Sequence, residues 1–481
     1  VTDLRLASLF FRRLADNRPL AAVTAAVASR FPDPCVVGGA LRDLSFNRPL
    51  TDVDITVGAD PAAVASEIAR EFSLGYALLD AERGIVRLAG NTPPRFTVDI
   101  AGRVGESVET DLARRDFTVN AVALSLTDER VVDPFGGLSD LAAGRLAPVS
   151  PTVFTDDPAR IVRLYRFMAT HRLIPDEALR RAAARSAPLL DTVAPERLWQ
   201  ETVRLFERDA ASHAAVTAMA DDRILDRLFP ELVACRGVTQ NRWHHLDVFD
   251  HSLATLAALE SIALDGEPFA PFREKIEGAL AEEIAFGVET GALLKLAALL
   301  HDVGKPSTRT VDRSGRIRFL THETVGARMA EEGLRRRFKA PGKCIAAVGR
   351  LIGNHLRPFN AIADGTVSDR AVYRYVKAVG DLLAPASLMA VADAAATCGP
   401  AVTPERRIEE FRAVGTILGS VAPAASPPPR LLTGDDLMRE LGLPPGPDVG
   451  KLLGAIDEAT ALGEIAAVDE ALALARSLRG A

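Results

Sequence analysis

The chain has few cysteines. Cys35, Cys235, Cys344 and Cys398 are the only four in 481 residues, and none forms a C-x-x-C. This excludes a disulfide framework and fits free thiols in a reducing, cytoplasmic compartment. Aromatic residues are scarce as well, 5% against 48% hydrophobic overall, so the core has to be built mainly from Ala, Leu and Val in helices. No uninterrupted apolar run approaches the length of a membrane span, and the N-terminal LASLFFRRLADNRPL reads as an amphipathic helix, not a signal peptide. The net charge of −7 argues against a globally basic nucleic-acid binder, although a local positive stripe is enough to hold RNA. Arg160 to Arg185 contains seven arginines and no lysine, and Arg335, Arg336, Arg337, Lys339 and Lys343 form a second cluster. A solvated helix face is the usual explanation for such a charge run. No G-x-G-x-x-G follows a strand, which sets aside a Rossmann reading. A length of 481 residues implies two or more domains, without internal repeats.

The most informative segment is VVGGALRDLSFNRPLTDVDITV, residues 36 to 57. Cys35 to Val37 reads as a buried strand, Gly38 and Gly39 let the backbone approach a phosphate, and Leu41 to Phe46 reads as a short helix carrying Arg42 and Asp43. The chain turns at Asn47 to Pro49 and re-enters as a strand in which Asp52 and Asp54, two apart, project from one face. Two converging carboxylates beside a phosphate cradle suit Mg²⁺, which takes hard oxygen ligands and substrate phosphates. A metal pair there would activate an attacking hydroxyl and stabilise leaving pyrophosphate. On D-x-D alone, a turn with a capping Asp52 and a solvated Asp54 is an equal alternative; the glycine pair and Arg42 favour the nucleotidyl-transfer site. Asp99, in the alternating RFTVDIA, is either a third carboxylate of that site or a solvent-facing strand residue.

LARRDFTVNAVAL at 112 to 124 and VVDPFGGLSDLAAGRL at 131 to 146 follow. Together with the first segment they resemble the head of class II tRNA nucleotidyltransferases, the family of CCA-adding enzymes and bacterial poly(A) polymerases. The resemblance implies an α/β nucleotidyltransferase head, a small mixed sheet with helices, followed by all-α neck, HD and tail domains. It implies that Gly39, Arg42, Asp52 and Asp54 bind triphosphate and metal, and that Arg115, Asp116 and Asn120 recognise the ribose. FTDDPARIVRLYRFMAT at 154 to 170 matches the family's E-D-x-x-R, with Asp156 in place of the usual glutamate and with Asp157 and Arg160 as the pair that reads the incoming base. A carboxylate accepts from the amino group that cytosine and adenine carry and guanine O6 and uracil O4 lack. Arg163 and Arg166 are expected near the triphosphate, where a forked cation suits phosphate geometry. APERLWQE at 194 to 201 resembles the family's structural E-R motif and reads as helix packing. Asp99 is joined to Arg114 by only IAGRVGESVETDLA. CCA-adding members carry a flexible loop here, and its loss goes with enzymes that add only the terminal A.

The second half holds HHLDVFDHSL, LLKLAALLHDVGK, HET, NHL and VADAA. Most of the chain's eight histidines lie in these segments; His171 and His213 read as packed or surface residues. The order resembles the HD phosphohydrolase superfamily and implies His251, His301, Asp302 and Asp393 as metal ligands. His322 and His355 are then candidates for a second metal or for phosphate, and Lys305 for phosphate. Mixed imidazole and carboxylate ligation suits a divalent transition metal such as Mn²⁺ or Ni²⁺ better than Ca²⁺.

These positions give four segments: residues 1–150 as head, 151–235 as helical neck, 236–420 as HD domain and 421–481 as linker and helical tail. The acidic stretch at 274–290 has no reading of its own. The expected activity is tRNA 3′-end nucleotide addition, with the tRNA 3′ end and ATP as substrates and CTP too if CCA synthesis is complete. An appended metal-dependent phosphohydrolase accompanies it. Poly(A) addition, a hydrolase with an inactive head and a non-enzymatic RNA-binding protein are the alternatives.

Overall fold

A computed structural model describes residues 3–81, 84–91, 93–360, 362–363, 366–420 and 430–480. The proline-rich linker read over 422–430 lies, apart from Arg430, outside the described residues. The chain divides into two compact units, Val1–Leu205 with Ala218–Arg227, and Phe206–Thr217 with Leu228–Ala481.

The first unit is built on a seven-stranded sheet of order β3-β4-β5-β2-β1-β6-β7. Its strands are β1 (Cys35–Val37), β2 (Asp52–Val57), β3 (Gly75–Asp80), β4 (Ile85–Gly90), β5 (Phe96–Gly102), β6 (Ala123–Ser125) and β7 (Val131–Val132). Only β2 and β5 run parallel, so the sheet is mixed. The two-residue side-chain period buries Val53, Ile55 and Val57 of β2 and turns Asp52 and Asp54 to the other face. The buried face packs on α1 (Asp3–Ala15), α2 (Arg18–Arg30), α3 (Gly39–Ser45) and α4 (Ala62–Glu71), with Phe10, Leu20, Leu41 and Ile68 in one core. The N-terminal stretch is two helices where one was expected. Asn17 interrupts it, its side chain accepting from Leu20 N at 3.2 Å to cap α2. Short helices α5 (Val108–Leu112), α6 (Gly137–Ala143) and α7 (Val153–Asp156) lead to α8 (Ala159–His171), α9 (Glu177–Ser186) and α10 (Pro195–Leu205).

The second unit is helical. Helices Val248–Glu260, Thr290–Leu300, His322–Arg337, Gly342–Asn354 and Leu383–Ala396 enclose its core, and every residue of Thr290–Leu300 is buried. Small antiparallel ribbons join them: Arg309–Val311 pairs with Ile317–Phe319, and Glu283–Ala285 with Val288–Glu289. The acidic stretch at 274–290 thus resolves into most of helix Arg273–Ala281 and a hairpin. The run Asp369–Ala396 is long and apolar enough to cross a membrane, which the sequence reading did not expect. It is divided by the turn Gly380–Leu382, and 78% of its apolar window is buried inside the fold, as in the core helix of a globular unit. The tail is three helices, Gly434–Leu441, Pro447–Ala461 and Val468–Gly480, closed over Leu437, Ile456 and Ala471. Cys35, Cys235 and Cys344 are buried free thiols, and Cys398 is an exposed one.

Gly304, two residues after Asp302, is where two segments of this unit touch backbone to backbone. A Cβ there would lie 2.2 Å from His322 O and 2.6 Å from Gly326 N. Gly304→Ala is therefore expected to lower stability by roughly 1–3 kcal/mol, the usual cost of overpacking. A thermal or denaturant melt of the full chain checks this, and an unchanged midpoint would contradict the close approach.

Candidate active site and candidate metal centre

A cavity of about 2030 Å³ in the first unit is lined by Gly38, Asp52, Asp54, Asp99, Arg115 and Asp157, among others. Parallel pairing of β2 with β5 sets Asp54 beside Asp99 in register, and Asp52 sits two residues along the same face. Asp54 is reachable from the cavity but has protein on most sides. Loss of hydration and the Asp99 carboxylate push its carboxyl up to about 6, against the pull of Arg115. Asp52 accepts from the Thr51 hydroxyl at 3.0 Å and from the Thr97 hydroxyl. Asp52, held only by hydroxyls, and Asp54 beside it at the cavity floor are a donor set that fits a hard divalent cation. Gly38 has a structural reason beyond phosphate approach. Its φ is +76°, and a Cβ on it would meet Asp54 Oδ2 at 2.9 Å and Arg115 Nη1 at 3.0 Å.

From this floor a chain of charge-assisted bonds runs into the helices. Arg42, buried on α3, donates to Asn120 Oδ1 at 2.5 Å and to Asp43 at 2.9 Å. Asn120 donates to Asp116 at 2.8 Å, and Asp116 accepts from Arg163 at 3.0 Å. Arg163 also donates twice to Glu201, whose other oxygen pairs with Arg166 at 2.8 Å. Burial, with Arg204 and Arg163 adding to it, pulls the Arg166 guanidinium down to about 10. Arg42, Asp116, Asn120, Arg163 and Arg166 all border the cavity, but much of their hydrogen-bonding capacity is spent on one another. His171, read from sequence as a packed residue, lies 2.9 Å from Asp43 Oδ1 through Nε2. Burial lowers its imidazole to about 4, and Arg42 Nε donates to the same Nε2 at 3.1 Å.

Asp157 and Arg160, expected from the sequence to read the base, stand at the start of α8. Asp157 accepts from Ala159 N at 3.2 Å and from Arg197 at 2.8 Å, while Arg160 donates to the Arg114 carbonyl at 2.8 Å. Arg197 and Glu201 both come from APERLWQE, which the sequence reading credited with packing alone. Their spacing of four, one helical turn, was the available signal. Arg87 was missed entirely. It lies opposite Asp99 across the β4–β5 ladder and grips it with two bonds of 2.8 and 2.7 Å. Opposite charges at mirrored positions of GIVRLAG and RFTVDIA were its signal.

The second unit gathers the expected constellation. His251 Nε2 lies 3.0 Å from Asp393 Oδ1, and His301 Nε2 lies 3.1 Å from Asp302 Oδ2. Asp302 is two-sided. Oδ2 faces His251, His301 and Lys305 at 3.7, 3.1 and 2.5 Å, and Oδ1 faces His322 and His355 at 3.3 and 4.0 Å. His301, His322 and His355 place Nδ1 2.8, 2.7 and 2.7 Å from the carbonyls of Ala298, Phe319 and Ile352. Donation there sets the tautomer and turns Nε2 inward, the usual outer support of a metal-binding imidazole. Asp302 Oδ1, His301 Nε2 and His322 Nε2 are buried without a hydrogen-bond partner, while Asp302 Oδ2 has its ion pair with Lys305. Such orphaned atoms are costly unless a cation satisfies them, so the residues fit a metal. Two groups, His251–His301–Asp393 and His301–Asp302–His355, each bring ligand atoms within 4.8 Å of one another. Lys305, expected on phosphate, is held by Asp302 and by Gln240 Oε1 at 2.7 Å. His244 packs edge-on against His251, with ring centroids 4.6 Å apart.

Glu201 is the anion on which Arg163 and Arg166 rely. Glu201→Gln leaves two largely buried guanidinium groups short of countercharge and is expected to cost about 3 kcal/mol. Denaturant titration of the full chain measures it, and a loss below about 1 kcal/mol would show that solvent or Asp116 compensates.

Comparison with known proteins gives the family. The family model for the Poly A polymerase head domain matches residues 35–147, that for the HD domain 248–397, and that for the probable RNA and SrmB-binding site of polymerase A 173–235. The putative tRNA nucleotidyltransferase domain 2 matches 428–475. The A-adding tRNA nucleotidyltransferase of Deinococcus radiodurans is 35% identical over 448 residues, 92% of this chain and 94% of its own. The CC-adding tRNA nucleotidyltransferase of Thermus thermophilus is 32% identical over 93% of this chain and 94% of its own. Among solved structures, the Thermotoga maritima CCA-adding enzyme complexed with tRNA aligns over 98% of both chains with a TM-score of 0.59 at 19% identity, a likeness of fold. With 35% identity across nearly the full length of both sequences, the chain belongs to the tRNA nucleotidyltransferase family and carries an HD domain in its second half.

Proposed function

We propose that the chain adds AMP to the 3′ end of tRNA from ATP. The carrying observation is that the Asp52–Asp54 pair and the base-reading Asp157–Arg160 pair border one cavity. Asp52 and Asp54 hold Mg²⁺, which when bound activates the attacking hydroxyl and neutralises the leaving pyrophosphate. Asp99 stands beside them as a third carboxylate. Gly38, Gly39, Arg42 and Arg115 face the triphosphate, Asp116 and Asn120 the ribose, and Arg163 and Arg166 back them. Asp157, fixed by Arg197, accepts from the amino group of the incoming base, and Arg160 donates to its ring acceptors. The family's A-adding and CC-adding members support tRNA over poly(A) as the product. The short run between β5 and Arg114 supports A addition over full CCA synthesis, which would require CTP as well.

The four-segment division into head, neck, HD domain and tail belongs to the same reading, as does a cytoplasmic site of action. In the HD domain, His251, His301, Asp302 and Asp393 hold a divalent transition metal such as Mn²⁺ or Ni²⁺. The second side of Asp302, with His322 and His355, would provide for a further metal or a phosphate, and Lys305, paired with Asp302, would contact the phosphate. The substrate class is a phosphomonoester or 2′,3′-cyclic phosphate of RNA ends.

Transcripts ending before CCA, after C and after CC, each supplied with labelled ATP or CTP, test the first activity. Addition of a single A to the CC-ended transcript is expected, with little C added elsewhere; conversion of the shortest transcript to CCA would overturn A-only addition. Asp52→Ala and Asp54→Ala should each reduce incorporation by about 10³-fold or more. Near-normal incorporation by either would remove the pair from the metal site.

For the HD domain, the expected result is that Asp302→Ala loses bound Mn²⁺ or Ni²⁺ along with cyclic-phosphate hydrolysis, while nucleotide addition persists. A wild type that binds neither metal and cleaves nothing would reduce the domain to a scaffold.

A further inference from the structure

We propose that Arg87 is a phosphate-binding residue of the cleft and that Asp99 is its anchor, leaving the head's metal to Asp52 and Asp54. This rests on the nucleotidyl-transfer reading and divides the three carboxylates by role. Asp99 spends both oxygens on one guanidinium, Oδ1 on Nε at 2.8 Å and Oδ2 on Nη2 at 2.7 Å. To offer an oxygen to a cation it would have to share one already engaged in a charge-assisted bond and set the new charge beside an arginine. Its neighbours carry no such claim. Asp52 accepts only from two threonine hydroxyls, and Asp54 accepts no hydrogen bond among the described residues. Carboxylates with unclaimed oxygens suit a cation, and one clamped by a cation suits a support.

The clamp gives Arg87 a fixed aim. Its side chain is 45% exposed and borders the same cavity as Asp52 and Asp54. With Nε and one Nη2 hydrogen held from behind, its other N–H groups remain as a fork for phosphate oxygens, and little side-chain freedom is left to lose on binding. The register makes the arrangement rigid, because Arg87 and Asp99 are directly paired residues of β4 and β5 and not the ends of mobile loops. In this assignment Arg87 touches substrate, and Asp99 is a positioning residue acting through it.

The test is Mn²⁺ binding to the full chain followed by electron paramagnetic resonance, beside steady-state kinetics for ATP on a CC-ended tRNA. Mn²⁺ lost on Asp52→Asn, relative to wild type, defines the head's metal. Asp99→Asn is expected to keep that metal within about twofold in affinity. Arg87→Ala and Asp99→Asn should each raise KM for ATP by about tenfold, the worth of one charge-assisted contact, with kcat falling less. The double variant should be no worse than either single one. Arg87→Lys should not restore KM, because a point charge lacks the fork. Melting curves of the isosteric Asp99→Asn and the half-exposed Arg87→Ala should superimpose on wild type, so neither effect passes through folding. Loss of the head's Mn²⁺ in Asp99→Asn to the extent seen in Asp52→Asn overturns the assignment, as does an unchanged KM in Arg87→Ala. A wild type that adds no nucleotide to any transcript is a different result, and it overturns the nucleotidyl-transfer reading beneath.

Discussion

Like charge gathered on one sheet face is the constraint around which the first unit is organised. Parallel pairing of β2 with β5 fixes Asp54 beside Asp99, and the period of the strand adds Asp52. The cost appears in the raised carboxyl of Asp54 and is offset by cations brought from elsewhere, Arg115 from the turn after α5 and Arg87 from β4. The arginines in turn need partners. Arg163 and Arg166 share Glu201, Arg42 rests on Asn120 and Asp43, and Arg197 holds Asp157. Net stabilisation from each buried pair is small, but removing one member strands a charge. The network therefore specifies geometry more than it adds stability.

The second unit solves a similar problem with imidazoles. A buried carboxylate, Asp302, is surrounded by His251, His301, His322 and His355, and Lys305 supplies a full positive charge. Burial and the neighbouring His301 hold the His355 ring down to about 3, so it stays neutral across the physiological range. The carbonyls behind His301, His322 and His355 fix the orientation of these rings.

What could be read in the sequence was what local spacing encodes. Gly38, Asp52 and Asp54 sit within one strand-turn-helix-strand unit, and His301–Asp302 ends an apolar helix, so pattern and chemistry coincide. What escaped were residues whose meaning depends on a distant partner. Arg87 acquires its role from a ladder register, Arg197 and Glu201 from the packing of α10 on α8, and His171 from an aspartate on α3. The break at Asn17 was legible in principle, since Asn followed by Pro19 is a helix start, but the amphipathic pattern on either side overrode it. The small ribbons of the second unit are too short for strand periodicity to register.

Several supports of both centres are main-chain atoms. Arg160 donates to the carbonyl of residue 114, and His301, His322 and His355 lean on the carbonyls of residues 298, 319 and 352. A carbonyl survives every side-chain replacement. Replacing the Arg114 side chain, for example, leaves in place the carbonyl to which Arg160 donates. Perturbations that move the backbone, such as loop-length changes or an ester in place of the amide, are what would expose these contacts.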